Sequence, residues 1–176
     1  MKTSNISEFS APGASSISFG PLSAKELNTL LLPFYLRLGF DARRTRFGCA
    51  VSDDSIARYC QGLSLAPTVV LGCIRPTGLI AAIELHPLLS NWEYAELAFA
   101  NSAENDRTMI SGHLLQLAAF AAGKRGCHTL IVPADLSQSE IVGLLRGMGR
   151  VTVQDDSAFV DLGEYARVHG LSVGRP

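Results

Sequence analysis

Apolar residues recur along this chain at two spacings, and the switches between them mark out the elements. In "PLSAKELNTLLLPFYLRLG", Leu27, Leu30, Leu31 and Phe34 return every three or four positions, which predicts a helix. Ser23 followed by Glu26 forms a capping box at its start, Pro33 kinks or divides it, and Gly39 ends it. "SDDSIARYCQGL" predicts a second helix, with Ser52 as its cap and acids in the first turn, where the helix dipole favours them. The pattern then changes to strand-like runs. "PTVVLGCI" and "LIAAIELHPL" flank "RPTG", a hairpin around a Pro-Gly turn, and "WEYAELAFA" adds another strand. Residues 110–124 form an amphipathic helix closed by Gly126, and "CHTLIVPA" is a short buried strand. "SQSEIVGLLRGMG" starts as a helix, with Ser137 as cap and Glu140 completing the box. "RVTVQD" and "SAFVDLG" alternate as two final strands, and "EYARVHGLSVGRP" reads as a short peripheral helix and tail.

Helices, then antiparallel strands, then strand, helix, strand, helix, strand, strand: this order predicts a mixed α/β (α+β) sheet with helices on its faces. No internal repeat interrupts it. At 176 residues the chain suits one domain with a full core. Residues 1–20, rich in Ser, are expected as a flexible tail that contributes one short strand at Ser16 to Phe19. Residues 21–163 form the folded domain, and 164–176 a short helix and tail.

Composition narrows the class. Hydrophobic residues make up 47% and charged residues 18%, an ordinary globular balance. A formal net charge of −1 argues against a non-specific nucleic-acid binder, which favours a basic face. No apolar run reaches the roughly 18 residues that span a bilayer, and Met1 to Gly20 has one Lys and no apolar core, unlike a secretory signal. Cys49, Cys60, Cys73 and Cys127 lack metal spacing, as do His86, His128 and His169, so no metal site is expected. The expectation is a cytoplasmic protein with reduced, mostly buried thiols, free of membrane and nucleic acid.

The stretch with the most chemistry is "AELAFANSAENDRTMISGHLL", a strand running into a helix through a short loop. Unpaired N–H groups at a helix N-terminus suit a phosphate, and a free strand edge can pair with amides of an extended ligand. Trp92, Tyr94, Glu96, Ala98 and Ala100 share one face of the strand. Glu96 is either a general base or a paired structural acid. Glu84, on the neighbouring strand, is the second candidate, otherwise a half-exposed strand acid. His113 sits in the helix's first turn, near any phosphate or simply as a partly exposed histidine. Arg43, Arg44 and Arg46 could meet an acidic substrate, but a solvated loop is the plainer reading, with Arg46 fixed beside Phe47. Tyr59 and Tyr94 are candidate proton donors.

Three stretches together resemble the GCN5-related N-acetyltransferase (GNAT) superfamily, across roughly residues 20 to 163. They are "RRTRFGCAVSDDSIARY", "AELAFANSAENDRTMIS" and "SEIVGLLRGMG" followed by a strand. The resemblance implies a mainly antiparallel sheet splayed near residues 99–101 and 130–133, and transfer of an acetyl or other acyl group from acetyl-CoA to a primary amine. It implies Glu96 as base, no covalent intermediate and no metal. It implies cofactor contacts at Phe99, Ala100, Asn101, Arg107, Met109, Ile110, Ser111, Gly112, His113 and Gln138, with backbone amides from Met109 to His113 on the pyrophosphate. A homodimer is an assembly it allows. The loop departs from the family pattern. Asp106 stands at the Gln/Arg position, Met109 at the first Gly and Ser111 at the second, with Glu104 nearby; Gln138 replaces an Asn and Arg150 a Phe. Those departures feed an alternative, a catalytically weak or inactive GNAT-like binding or regulatory module.

Overall fold

A computed structural model describes residues 17–63, 66–88, 91–102, 106–133, 139–155 and 157–170. The elements are β1 (Ser18–Pro21), α1 (Ala24–Glu26), a π-helical turn (Leu27–Leu31), α2 (Leu32–Arg37), α3 (Phe40–Phe47) and α4 (Asp53–Leu63). They continue with β2 (Val69–Arg75), β3 (Gly78–Pro87), β4 (Tyr94–Asn101), α5 (Arg107–Gly123) and β5 (Thr129–Pro133). The last are α6 (Ser139–Arg146), β6 (Arg150–Gln154), β7 (Ser157–Asp161) and α7 (Gly163–Val168). The seven strands form one sheet in the order β1-β2-β3-β4-β5-β7-β6. Every neighbouring pair is antiparallel except β4 and β5, which run parallel.

Local sequence explains the element ends. Ser23 and Glu26 make the reciprocal capping box, and Pro33 sits in the first turn of α2, where its missing N–H costs nothing. Ser52 caps α4 by accepting the N–H of Ser55 at 3.2 Å. Pro76 and Thr77 turn β2 into β3, and Gly78 follows at φ 119, a conformation a side chain would strain. Gly149 enters β6 so close to β7 that an added Cβ would sit 1.9 Å from the carbonyl of Asp161. Only glycine fits there.

The sheet separates two cores. Ala95, Leu97 and Phe99 of β4 pack with Ile110, Leu114, Leu115, Ala118, Ala119 and Ala122 of α5, joined by Leu145 of α6. On the other face Leu31, Phe34, Tyr35, Ile56 and Cys60 cover Val70, Ala82 and Ala100. β1 crosses residue 20, where the flexible tail was expected to end, and pairs with β2 from Ser18 onward; Ser16 lies outside the described residues. Ser137 and the side chain of Glu140, expected to cap α6, also lie outside them. Cys60, Cys73 and Cys127 are buried free thiols and Cys49 is an exposed one. No helix among the described residues is long and apolar enough to cross a membrane.

Candidate functional site

The parallel β4–β5 ladder pairs Tyr94 with Thr129, Ala95 with Leu130 and Glu96 with Ile131, and goes no further. Yet β4 runs on to Asn101 and β5 to Pro133. The sheet therefore opens just past Glu96, earlier along β4 than the expected 99–101. On its other side β4 stays paired with β3 through Asn101. Among the described residues, no strand pairs with the β5-side edge of β4 beyond Glu96.

β4 leads directly towards α5. Asp106 caps that helix at φ 60, makes no side-chain capping bond, and accepts the N–H of Ile110 on its carbonyl at 2.9 Å. The N–H of Ile110 is thus spent inside the helix. The expected donors from Met109 to His113 therefore include one, Ile110, that is already bonded within α5, and the helix itself starts earlier, at Arg107. The Met109 side chain is 41% exposed and turned out of the core. Ser111 is buried; its Oγ donates to the Arg107 carbonyl at 2.7 Å and accepts Asn101 Nδ2 at 3.2 Å. This clamp ties the end of β4 to the first turn of α5. The Asp106 carboxylate lies 3.5 Å from Arg75 Nη2, with both side chains partly open to solvent, so the pair is weak. His113, exposed on the first turns of α5, donates from Nδ1 to the Met109 carbonyl at 3.0 Å and stacks on Phe19 with centroids 5.1 Å apart. Gln138 and Glu104 lie outside the described residues.

A cleft of about 590 Å³ opens over the other face of the sheet, between α3, α4 and the β4–β5 gap. Glu96, Ala98 and Phe99 of β4, His86 of β3 and Pro133 of β5 line it beneath Arg46, Phe47 and Tyr59. Glu96 and His86 are direct partners across the β3–β4 register. Glu96 is half-buried; its backbone pairs with β3 and β5, and its carboxylate makes no hydrogen bond or ion pair with a described residue.

The two weaker acid and base expectations are corrected. Glu84 is not a half-exposed strand acid: it is fully buried, opposite Ala98. Nor are Arg43 and Arg46 in a solvated loop, because residues 40–47 are helical. Arg46 Nη2 lies 2.6 Å from Glu84 Oε2. Tyr35 and Tyr59 donate their hydroxyls to the two Glu84 oxygens, and His86 Nε2 donates to Oε2 at 2.9 Å. Arg46 in turn donates to the Tyr59 hydroxyl at 2.7 Å, with the Tyr35, Phe47 and Tyr59 rings at 4.8 to 5.3 Å around it. Burial raises the Glu84 carboxyl, but Arg46 and the three hydrogen bonds outweigh it and bring it from 4.5 to about 2. Burial and then the Glu84 charge push the Tyr35 and Tyr59 phenols up, which leaves them as donors. Arg43 instead holds the helix ends, donating to the Leu36 and Leu38 carbonyls and pairing with Asp53 at 2.6 Å. Arg44 is exposed, and Tyr94 stands exposed at the start of β4. The one local sign of this centre was an acid inside an otherwise apolar strand, "IAAIELH", two residues from a histidine on the same face.

No family model matches the sequence, and no curated protein matches it. Solved structures do. The GNAT domain of S. lividans PAT is 16% identical, with a TM-score of 0.60 over 81% of this chain and 87% of that one. yncA from Salmonella typhimurium, solved with its cofactor acetyl-CoA, is 14% identical, with a TM-score of 0.60 over 85% and 96%. Spermidine N-acetyltransferase from Vibrio cholerae, in complex with CoA and spermine, is 11% identical, with a TM-score of 0.59 over 85% and 97%. With its seven-stranded sheet, its parallel β4–β5 pair and its α5 junction, this chain has the fold of the GCN5-related N-acetyltransferases.

Proposed function

We propose that the chain transfers an acetyl or other acyl group from acyl-CoA to a primary amine of a small molecule or protein. The observation that carries this reading is the end of the β4–β5 ladder at Glu96–Ile131, immediately before a strand-to-helix junction. The edge of residues 97–100, which no described strand pairs, suits the amides of a pantetheine arm, and the start of α5 at Arg107 and Met109 suits a pyrophosphate. The local side chains fit such a ligand. Met109 is turned outward, and Ser111, small and buried, locks the junction without filling it. Phe99, Ala100, Asn101 and Arg107 flank the same path, and Gln138 is kept in the contact set by the resemblance alone.

When bound, the thioester supplies an activated acyl carbon. Glu96, whose carboxylate has no described side-chain partner, accepts a proton from the ammonium form of the acceptor, directly or through a water. The freed amine nitrogen then bonds to the acyl carbon as the carbon–sulfur bond breaks, and CoA leaves with the sulfur's electron pair. No residue is acylated. Glu84 takes no part in this transfer, because its oxygens already accept four donors. The folded unit of 21–163 carries the whole reaction in this reading, in the cytoplasm, where acyl-CoA is available. A GNAT-like binding module without turnover is favoured only by the acidic Asp106 at the junction. Free-thiol release from acetyl-CoA, measured with and without a mixture of primary amines, separates the two. Release that requires both protein and amine supports the transferase; none at any acyl-CoA concentration supports the module.

A further inference from the structure

The charges around the cleft restrict the acceptor. Building on the N-acyltransferase reading, we infer that the acceptor is a monoamine on a compact apolar arm, arylalkyl or branched alkyl, with no carboxylate of its own. Arg46 lines the cleft, but its charge is already taken. Glu84 lies 2.6 Å from it, the Tyr59 hydroxyl accepts from it, and three aromatic rings surround it. A carboxylate on the acceptor would have to draw this guanidinium away from a buried acid, leaving Glu84 charged and short of its counter-ion. It would also lie close to Glu96.

Glu96 is the acid that remains. Its carboxylate makes no hydrogen bond or ion pair with a described residue, so it offers one cation a counter-charge. The other described acids do not line the cleft, so no described carboxylate there balances a second ammonium. Apolar Phe47, Val51, Ile56 and Ala98 share the rest of the wall with Thr45, Ser55, Tyr59 and His86, and the Tyr59 hydroxyl and His86 Nε2 are held at Glu84. One carboxylate in such a setting orients a single amine, and the walls take up a hydrocarbon arm. Selection against acidic and polycationic acceptors comes from the paired Arg46 and the lone Glu96 together.

The test titrates the intact, isotope-labelled protein with 2-phenylethylamine, L-phenylalanine and spermidine, reading backbone amide shifts at residues 46–48 and 96–99. The expected result is a Kd for 2-phenylethylamine about tenfold or more below those of the other two, since each of them brings an extra charge that the cleft leaves unbalanced. Glu96→Gln should remove most of that advantage. Equal or tighter binding of L-phenylalanine or spermidine, or shifts that miss these residues, overturns the inference. A parallel CoA titration keeps the two readings apart. CoA binding with the wrong amine preference sinks only the acceptor class, whereas absent CoA binding sinks the transferase and the amine shifts still decide the acceptor class.

Discussion

Arg46 and Glu84 form an ion pair at 2.6 Å with their side chains 6% and 0% exposed, joining helix α3 to the middle of strand β3. Taking both charges out of water is costly, so either one alone is a large liability. Arg46→Met should therefore lower stability by about 3–5 kcal/mol, and the double variant with Glu84→Gln should lose much less than the sum of the two singles. Denaturant melts of the four proteins measure this. Losses that add within about 0.5 kcal/mol would show that the pair is not coupled.

The same centre sets an acid limit. Glu84 has its carboxyl brought from 4.5 to about 2 in the folded protein. A depressed folded value means the stabilisation is fully present above the unfolded value and is lost as pH falls through the folded one. The window is thus about pH 4.5 down to about 2, with loss on the order of 3 kcal/mol. Thermal melts across that range should fall more steeply for the parent than for Glu84→Gln. Parallel slopes would remove Glu84 as the cause.

Turnover is expected to depend on Glu96 and CoA affinity is not. Glu96→Gln keeps the shape of the cleft and removes the proton acceptor, which is worth about 10²–10⁴ in rate. With any verified amine acceptor, kcat should drop by that much while CoA affinity stays within about threefold. A parental rate between pH 6 and 9 would show that another group takes the proton.

The junction carries a separate prediction. Asp106 holds a negative charge beside the proposed pyrophosphate path and pairs with Arg75, whose buried Nε has no partner among the described residues. Asp106→Gln removes the like charge and frees Arg75 for an anion, and Met109→Gly lets the backbone approach more closely. The glycine costs about 0.5–1 kcal/mol of stability in a helix. The double variant should bind CoA more tightly than the parent, by a margin that shrinks in high salt because the site is partly exposed. An unchanged or salt-independent affinity would mean that Asp106 and Met109 do not hinder the ligand.

Much of the fold was legible because its signals are local. Ser23 with Glu26 marked one helix start, Ser52 another, and Pro76 to Gly78 the hairpin. The splay could be placed only roughly, since the register at which β4 and β5 part is a pairing between distant segments. Helix α3 went unseen because "FDARRTRF" has no apolar periodicity and buries no whole residue; its inward side chains are two arginines and Phe47. Glu84 was misjudged for the same reason. Its partners come from positions 35, 46, 59 and 86, and no window of sequence contains them all. The lone Glu96 was legible, since the two-residue period of a strand fixes its face.

The central claim is that an acyl-CoA lies along the free edge of β4 and ends at the first turn of α5. Amide hydrogen exchange with and without saturating CoA tests it most directly. The account predicts added protection at residues 97–101 and 107–109, with little change in β6, β7 or α7. Unchanged exchange at both segments, or protection confined to another part of the molecule, would contradict it.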